Sequence, residues 1–442
     1  MALVHSAKAN FNCSGFFEVT ISKTFCICAL LRVAVCLGFS GILDPQYRLI
    51  TSVLGWTAYL ICRTVYFQGF NEGKKDLKIL FINNDKGWGG GQEHLKDLVI
   101  ELLHNGVEVH FVVRFGSKSS TRFRELGVSV HQLPGHGLKD LLALQQLVVL
   151  LRRERFDIVS INREHDLLLT ALAWKIAFPC RKSGRLMMSY HTATTRKQLL
   201  LGSVDAIICV SEHVRSRLLQ ANPGFTGKVS VLYNGIAIGG PPSVDKFNFD
   251  RHRRFFQKDG FPLIGMVGDF FKNQGEFVDM IPQLKQSFPA LKVVFVGDNS
   301  DRALLDPLLA KIDMLGVEND VIFTGKVPRE KIPDLFYDLD LSVTTYRNEG
   351  FGVVHLESLA AGTPVVAYNE GGFVDIFKGT HAGVLVDGRS DDFIAAVIDL
   401  LNDHENRFSM GVDGYELVKM KYSVQGMGQN YLAFYRKLSG TL

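Results

Sequence analysis

The chain has 442 residues, 47% of them hydrophobic and 21% charged, with 42 Gly and 13 Pro, which excludes a disordered protein and a small disulfide scaffold. A formal charge of +4 lies too near balance for a nucleic-acid protein, so no nucleic-acid partner is expected. At about 150 residues per domain the length predicts two or three domains, and no repeat period marks a solenoid or propeller.

Residues 1–75 carry 7 basic and 3 acidic side chains, residues 76–240 carry 21 and 14, and residues 241–442 carry 21 and 28. A basic middle region suits an anionic substrate or an acidic membrane surface, because clustered Lys and Arg concentrate negative partners; a merely solvated surface gives the same count. Five of the seven Cys (Cys13, Cys26, Cys28, Cys36, Cys62) fall in the first 62 residues, mostly within apolar runs. Cys180 and Cys209 stand apart in segments that read as core, so reduced thiols in a cytoplasmic compartment are expected.

Two apolar runs open the chain, Phe25 to Leu43 with Arg32 as its only charge and Leu49 to Phe70 with only Arg63. Each is near the roughly 20 residues that span a bilayer, yet an Arg at mid-helix costs about 2.5–3.5 kcal/mol on insertion. Residues 1–75 therefore read as an apolar extension with three readings open: a membrane hairpin, a docked extension of the fold, or a poorly ordered start. Lys74, Lys75 and Lys78 follow the second run, and the positive-inside bias puts the rest of the chain on the cytoplasmic face of a membrane.

From Leu77 the pattern changes to short apolar runs alternating with amphipathic helices, the signature of a parallel sheet covered on both faces. Gly239-Gly240-Pro241-Pro242-Ser243 reads as a linker, after which the alternation begins again. The expected fold is α/β with two Rossmann-like doubly wound domains facing across a cleft, residues 76–240 and 241–442. In such sheets ligands sit outside the carboxyl ends of the strands, so four loops are singled out.

Asn83 to Gly91 ends in Gly89, Gly90 and Gly91, ahead of a helix expected near Gln92. Such a loop lets phosphate or sugar hydroxyls approach the backbone and a helix N-terminus, although a flexible turn would look the same. Tyr190 to Lys197 gives His191, Thr194, Thr195 and Arg196, donors for hydroxyls plus charge for a phosphate. Gly268 to Gly275 occupies the equivalent place in the second half, with Lys272 as its only cation. The fourth loop, Asn348 to Glu357, places Glu349 before a helix and Glu357 within it. Two carboxylates there can accept from the hydroxyls of a sugar and a ribose while Gly350, Phe351, Gly352 and Val353 offer backbone N–H groups to phosphate; a hydrolytic acid and base is the other reading.

These residues resemble the retaining family-four glycosyltransferases of the GT-B fold, over about residues 77–439. The Glu-x7-Glu element within GFGVVHLESLAAGTPVVAYNEGG carries the resemblance most strongly, and SYHTATTRK is similar to a stretch of bacterial phosphatidylinositol mannosyltransferases. The resemblance implies that Glu357 binds the donor ribose, that Glu349 contacts the transferred sugar and that His191 sits beside the reacting carbon. It also implies backbone contacts from Gly350 to Val353, a loop at Gly89 to Gly91 closing over the substrates, and a last helix crossing back to the first domain. The implied reaction takes a nucleoside-diphosphate sugar as co-substrate, retains anomeric configuration and needs no metal or other cofactor.

The acceptor expected is a glycan or a lipid-linked molecule, with the enzyme associated with a membrane. Asp338-Leu339-Asp340, superficially a metal-binding pair, reads as structural. One departure matters: the family usually has an Arg and a Lys gripping the diphosphate where this chain has Asp269 and Gln274 or Gly275. A shortened loop would put Lys272 in the Lys role. Otherwise leaving-group stabilisation weakens and a silent nucleotide-sugar-binding partner becomes the alternative, with a same-fold nucleotide-sugar epimerase as another.

Overall fold

The computed structural model describes residues 77–440 apart from 86, 135–139, 180–183, 199, 240–252 and 257–261. The expected extension over 1–75, Lys74, Lys75, Cys180 and most of the Gly239 to Ser243 linker lie outside the described residues.

Seven short strands form the first sheet: β1 (Lys78–Asn83), β2 (Glu108–Arg114), β3 (Ser129–Leu133), β4 (Ile158–Ile161), β5 (Arg185–Tyr190), β6 (Ala206–Cys209) and β7 (Val229–Val231). They lie in the order β3-β2-β1-β4-β5-β6-β7, every pairing parallel. The helices between them are α1 (Gly90–His104), α2 (Lys118–Glu125), α3 (Asp140–Glu154), α4 (Leu167–Ala177) and α5 (Glu212–Ala221). Alternation along β1 divides its side chains between two cores. Ile79 and Phe81 join Leu95, Leu98, Val99 and Leu102 of α1, whereas Leu80 and Ile82 join Leu147 and Leu151 of α3 and Trp174 of α4. The α1 residues recur at three- and four-residue steps, which puts them on one helix face, and burying each such side chain contributes about 1.5–3 kcal/mol.

The second sheet holds β8 (Leu263–Val267), β9 (Lys292–Val296), β10 (Val321–Gly325), β11 (Leu341–Thr344), β12 (Val365–Tyr368) and β13 (Gly383–Val386), in the order β10-β9-β8-β11-β12-β13. Its pairings are parallel too. Around it run α6 (Gln274–Ser287), α7 (Arg302–Met314), α8 (Ile332–Asp338), α9 (Val353–Ala360), α10 (Val374–Phe377), α11 (Ser390–Asn402), α12 (His404–Lys421) and α13 (Val424–Ser439). Strand order reverses between β1 and β4 and again between β8 and β11, and each reversal opens a crevice at the carboxyl ends of the strands.

The final helix packs against the first sheet. Met427, Tyr431, Leu432 and Tyr435 of α13 share a core with Phe111 and Met187. The amide of Ile236 donates to the Tyr422 carbonyl at 2.9 Å, that of Val424 to the Ile236 carbonyl at 2.9 Å, and Arg185 Nε to the Leu438 carbonyl at 3.1 Å. Asp338 accepts the amides of Arg254, Phe255 and Phe256 at 2.8, 2.6 and 2.9 Å. Asp340 accepts the Leu263 amide at 2.8 Å and lies 3.2 Å from the Arg253 guanidinium. Both carboxylates are fully buried, tying the segment before β8 to the start of β11. Among the described residues no helix is long and apolar enough to cross a membrane.

Candidate active site

Glu349 stands in the loop between β11 and α9, and the next residue brings the two halves into contact. A β-carbon at Gly350 would lie 2.1 Å from the His191 carbonyl oxygen, so only glycine permits the loop after β5 to approach this closely. Ser211 secures the contact: its hydroxyl donates to the Gly350 carbonyl at 2.6 Å while accepting the Val214 amide at 3.1 Å, which caps α5. Gly352 opens α9 at φ +90°, a left-handed conformation that a side chain would strain.

Lys272 folds back over Gly268 and places Nζ 2.7 Å from Glu349 Oε2, while Glu349 Oε1 accepts the Gly350 amide at 3.2 Å. Burial would raise the Glu349 carboxyl, but the charge and hydrogen bond of Lys272 outweigh it and hold the group below its ordinary range. The two departures in this loop are accounted for differently. Asp269 is exposed, and Gln274 Nε2 donates to the Asp269 carbonyl at 2.8 Å, so neither takes up a cationic role.

Glu357 lies about one turn into α9, half-buried, and burial pushes its carboxyl up to about 7. Asp97 and Glu93 of α1 add to that rise, and Arg329 opposes it. Arg329 follows β10 and reaches across to α1, with Nη2 2.9 Å from Asp97 Oδ2 and Nη1 3.6 Å from Glu93 Oε2. His191 and His94 meet edge to face with ring centroids 5.8 Å apart. Burial, helped by the charge of Arg163, takes His191 down to about 4. Burial takes His94 down to about 3, aided by His191 and Arg329. Both rings are therefore neutral at physiological pH, and neither ring nitrogen of His94 has a hydrogen-bond partner. His355 of α9, held near 4 by burial, feels both Glu349 and Lys272.

Beside His191 a cavity of about 510 Å³ opens after β4 and β5, lined by Arg163, Glu164, Thr192, Thr195 and Arg196 among others. Thr194 is buried, and its hydroxyl accepts the Arg196 amide at 3.4 Å. The glycine-rich segment differs from expectation: Gly89 caps α1, but Gly90 and Gly91 form its first turn rather than a loop. Their amides still lack intrahelical acceptors. The turn is held by Gln92, which accepts the Gly89 amide at 3.0 Å and donates to Asp85 Oδ2 at 3.0 Å, and Asp85 in turn lies 3.0 Å from Arg163. The Phe351 ring is buried, stacked on Tyr233 at 5.7 Å and 6.0 Å from Tyr422. Only its backbone is placed for a ligand.

The structure thus brings Glu349, Lys272, Gly268, Gly350 and His191 together, with Glu357 on α9, the helix that follows Glu349. Arg329, Glu93, Asp97, His94, Ser211 and His355 join them without having been singled out from the sequence. Glu93 and Asp97 are four residues apart on one helix, a visible spacing, but nothing local announces Arg329 as their partner. The assembly offers a cation, first-turn amides, two carboxylates of opposite pKa tendency and two neutral imidazoles, a set suited to holding a polyhydroxylated anion.

Residues 88–238 match the family model described as Glycosyltransferase Family 4, and residues 248–416 match that described as Glycosyl transferases group 1. The chain is 32% identical over 424 residues to the alpha-1,3/1,6-mannosyltransferase ALG2 of Dictyostelium discoideum, a match covering 83% of this chain and 99% of that protein. It is 29% identical over 235 residues to a GDP-mannose-dependent alpha-(1-6)-phosphatidylinositol monomannoside mannosyltransferase of Mycobacterium tuberculosis, covering 49% of this chain. That match spans only 58% of the mycobacterial protein's length. Among solved structures, Anabaena HepE in complex with UDP and glucose superposes with a TM-score of 0.68 at 19% identity, covering 82% of this chain and all of that one. A glycosyltransferase from Rickettsia africae gives 0.70 at 17% identity, covering 82% and 98%. The chain belongs to the family-four-like glycosyltransferases of the GT-B fold.

Proposed function

We propose that this protein transfers a hexose from a nucleoside-diphosphate sugar to a lipid-linked or polysaccharide acceptor with retention of configuration, at the cytoplasmic face of a membrane. The observation that carries this reading is the Lys272–Glu349 pair next to Gly350, which itself packs against the His191 backbone. GDP-mannose is the first donor to try, since two of the similar proteins are described as mannosyltransferases.

In this reading Glu357 accepts from the ribose hydroxyls and Glu349 from the transferred sugar. Lys272 exchanges its carboxylate partner for the diphosphate, whose negative charge grows as the bond to the anomeric carbon breaks. The amides at the start of α9 (Val353–Ala360) and α1 (Gly90–His104) supply fixed donors that need no reorganisation. The acceptor oxygen bonds to the same face of the anomeric carbon, and its proton passes to the departing phosphate oxygen, so the step is balanced without a metal or cofactor. Neutral His191 stands beside this carbon as a hydrogen-bond donor rather than a second cation.

Nuclear magnetic resonance of the product tests the assignment, with a linkage of the donor's own anomeric configuration expected. Inverted product would contradict retention, and sugar interconversion without any acceptor would favour an epimerase.

A further inference from the structure

The outer surface of the helix layer formed by α3 (Asp140–Glu154) and α4 (Leu167–Ala177) carries six exposed apolar side chains, interspersed with Gln145, Gln146 and several cations. On α3, Leu141, Leu142 and Val149 are 76%, 56% and 55% exposed; on α4, Leu168, Leu172 and Ile176 are 65%, 44% and 42% exposed. Four-residue steps on α4 align its three in one stripe. Both helices are already anchored inward by Leu147, Leu151, Ala173 and Trp174 in a single core, so these six side chains are not needed to hold the fold. Arg152 Nη2 donates to the Ile176 carbonyl at 2.8 Å, which ties the carboxyl ends of the two helices and makes the stripes neighbours.

Exposed charge on this face is mainly cationic, with Arg153 paired to the partly buried Glu154 at 2.8 Å. Arg152, Arg153, Arg155 and Lys175 are exposed at that end, and no described exposed side chain of either helix is Asp or Glu. Contiguous apolar surface marks a site of interaction. Leucines flanked by cations fit a bilayer containing anionic lipid, the apolar groups entering the acyl boundary while guanidinium and ammonium groups meet lipid phosphates. The placement also has a use, because His165 lines the cavity beside His191 and Leu168 follows it by three residues.

We propose that the outer face of α3 and α4 docks on an anionic lipid surface and so presents the cavity beside His191 to the headgroup of a membrane-borne acceptor. The second half of this proposal rests on the glycosyltransferase reading above; the docking itself does not.

Co-sedimentation of the full chain with phosphatidylcholine vesicles, with and without phosphatidylglycerol, tests it. Two double variants are compared, Leu168→Glu with Leu172→Glu and Arg153→Glu with Lys175→Glu, with circular dichroism as the folding control. The wild type is expected to prefer the anionic vesicles and to be released by salt. Each double variant is expected to lose about tenfold or more in partitioning while nucleoside-diphosphate binding is unchanged. Variants that sediment like the wild type would overturn the proposal, placing membrane contact elsewhere in the chain. So would a wild-type dimer that the Leu168→Glu, Leu172→Glu variant dissociates, since the face would then join two copies. Vesicle binding through this face without sugar transfer leaves docking standing and removes the transferase reading; transfer to a short-chain soluble acceptor without vesicle binding does the reverse.

Discussion

Glu349 and Lys272 lie 2.7 Å apart in a largely buried site, so removing either leaves the other charge without its partner. Replacing Lys272 by Ala is expected to lower kcat by about 100- to 1000-fold, the scale for losing one fixed donor to developing negative charge. It also removes the largest influence opposing burial at Glu349, leaving only His355 and the Gly350 amide, so the acid limb of the pH–rate profile should move to higher pH; an unmoved limb would show that the pair does not govern that group. Glu357 behaves oppositely. Because the folded state raises its carboxyl to about 7, its contribution to stability is present below its ordinary value and lost as pH rises through about 7. Ribose hydroxyls donate best to the ionised form, so donor affinity should increase with pH through the same region. Calorimetric titration across pH 5.5 to about 8.5 checks this, and Glu357→Gln should flatten the dependence. The carboxylate pair was legible in the sequence because both residues fall in one short loop-and-helix segment, Glu349 four residues before α9 and Glu357 within it. Arg329 was not, because its partner Asp97 lies 232 residues away and only the packed structure joins them.

At the scale of elements, the loop after β11 (Leu341–Thr344) and the loop after β5 (Arg185–Tyr190) are held in contact by Gly350 and Ser211. Gly350→Ala would put a β-carbon within 2.1 Å of the His191 carbonyl oxygen and push the two loops apart. A displacement of about 1 Å costs on the order of 100-fold in rate, while the overpacking costs about 1–3 kcal/mol in stability. Steady-state kinetics beside thermal melting should show both effects, the rate loss corresponding to about 2.7 kcal/mol; an unchanged rate would show that the loop contact does not set the site. Arg329→Ala makes a different prediction. Its side chain is 41% exposed, so stability should change by no more than about 1 kcal/mol, yet Glu357 would lose the charge that restrains its rise, and the pH dependence of donor binding should shift upward. The glycine-rich segment shows why sequence reading stopped short here. Gly90 and Gly91 are poor helix formers, but α1 (Gly90–His104) begins at Gly90 because its apolar stripe is packed and Gln92 ties its first turn to Asp85. That tertiary contact overrides local propensity.

Across the whole molecule, the alternation of apolar runs with amphipathic helices made both parallel sheets readable, since strand and helix periods are local properties of the chain. The return of α13 (Val424–Ser439) to the first sheet was legible only through the family resemblance, not from periodicity: Tyr431 and Tyr435 form an ordinary amphipathic stripe, here packed with Phe111. The cavity beside His191 and the apolar face of α3 and α4 were hidden, because each is assembled from separate segments. Closing on a ligand between the two sheets should stabilise the whole unit, by about 2.7 kcal/mol at a concentration of 100 times Kd. A rise in melting temperature with nucleoside diphosphate, lost in Lys272→Ala, would report this.

Nucleoside diphosphate release tests the central claim most directly. GDP-mannose and the corresponding UDP- and ADP-sugars are supplied separately to the wild type and to Glu349→Gln, with and without membrane lipid extract. The account predicts release from one donor by the wild type, dependent on the extract, with turnover lost but nucleotide binding kept in Glu349→Gln. Binding of nucleotide with no release from any donor would contradict it, and Asp269 and Gln274 would then mark a protein that holds nucleotide sugars without transferring them.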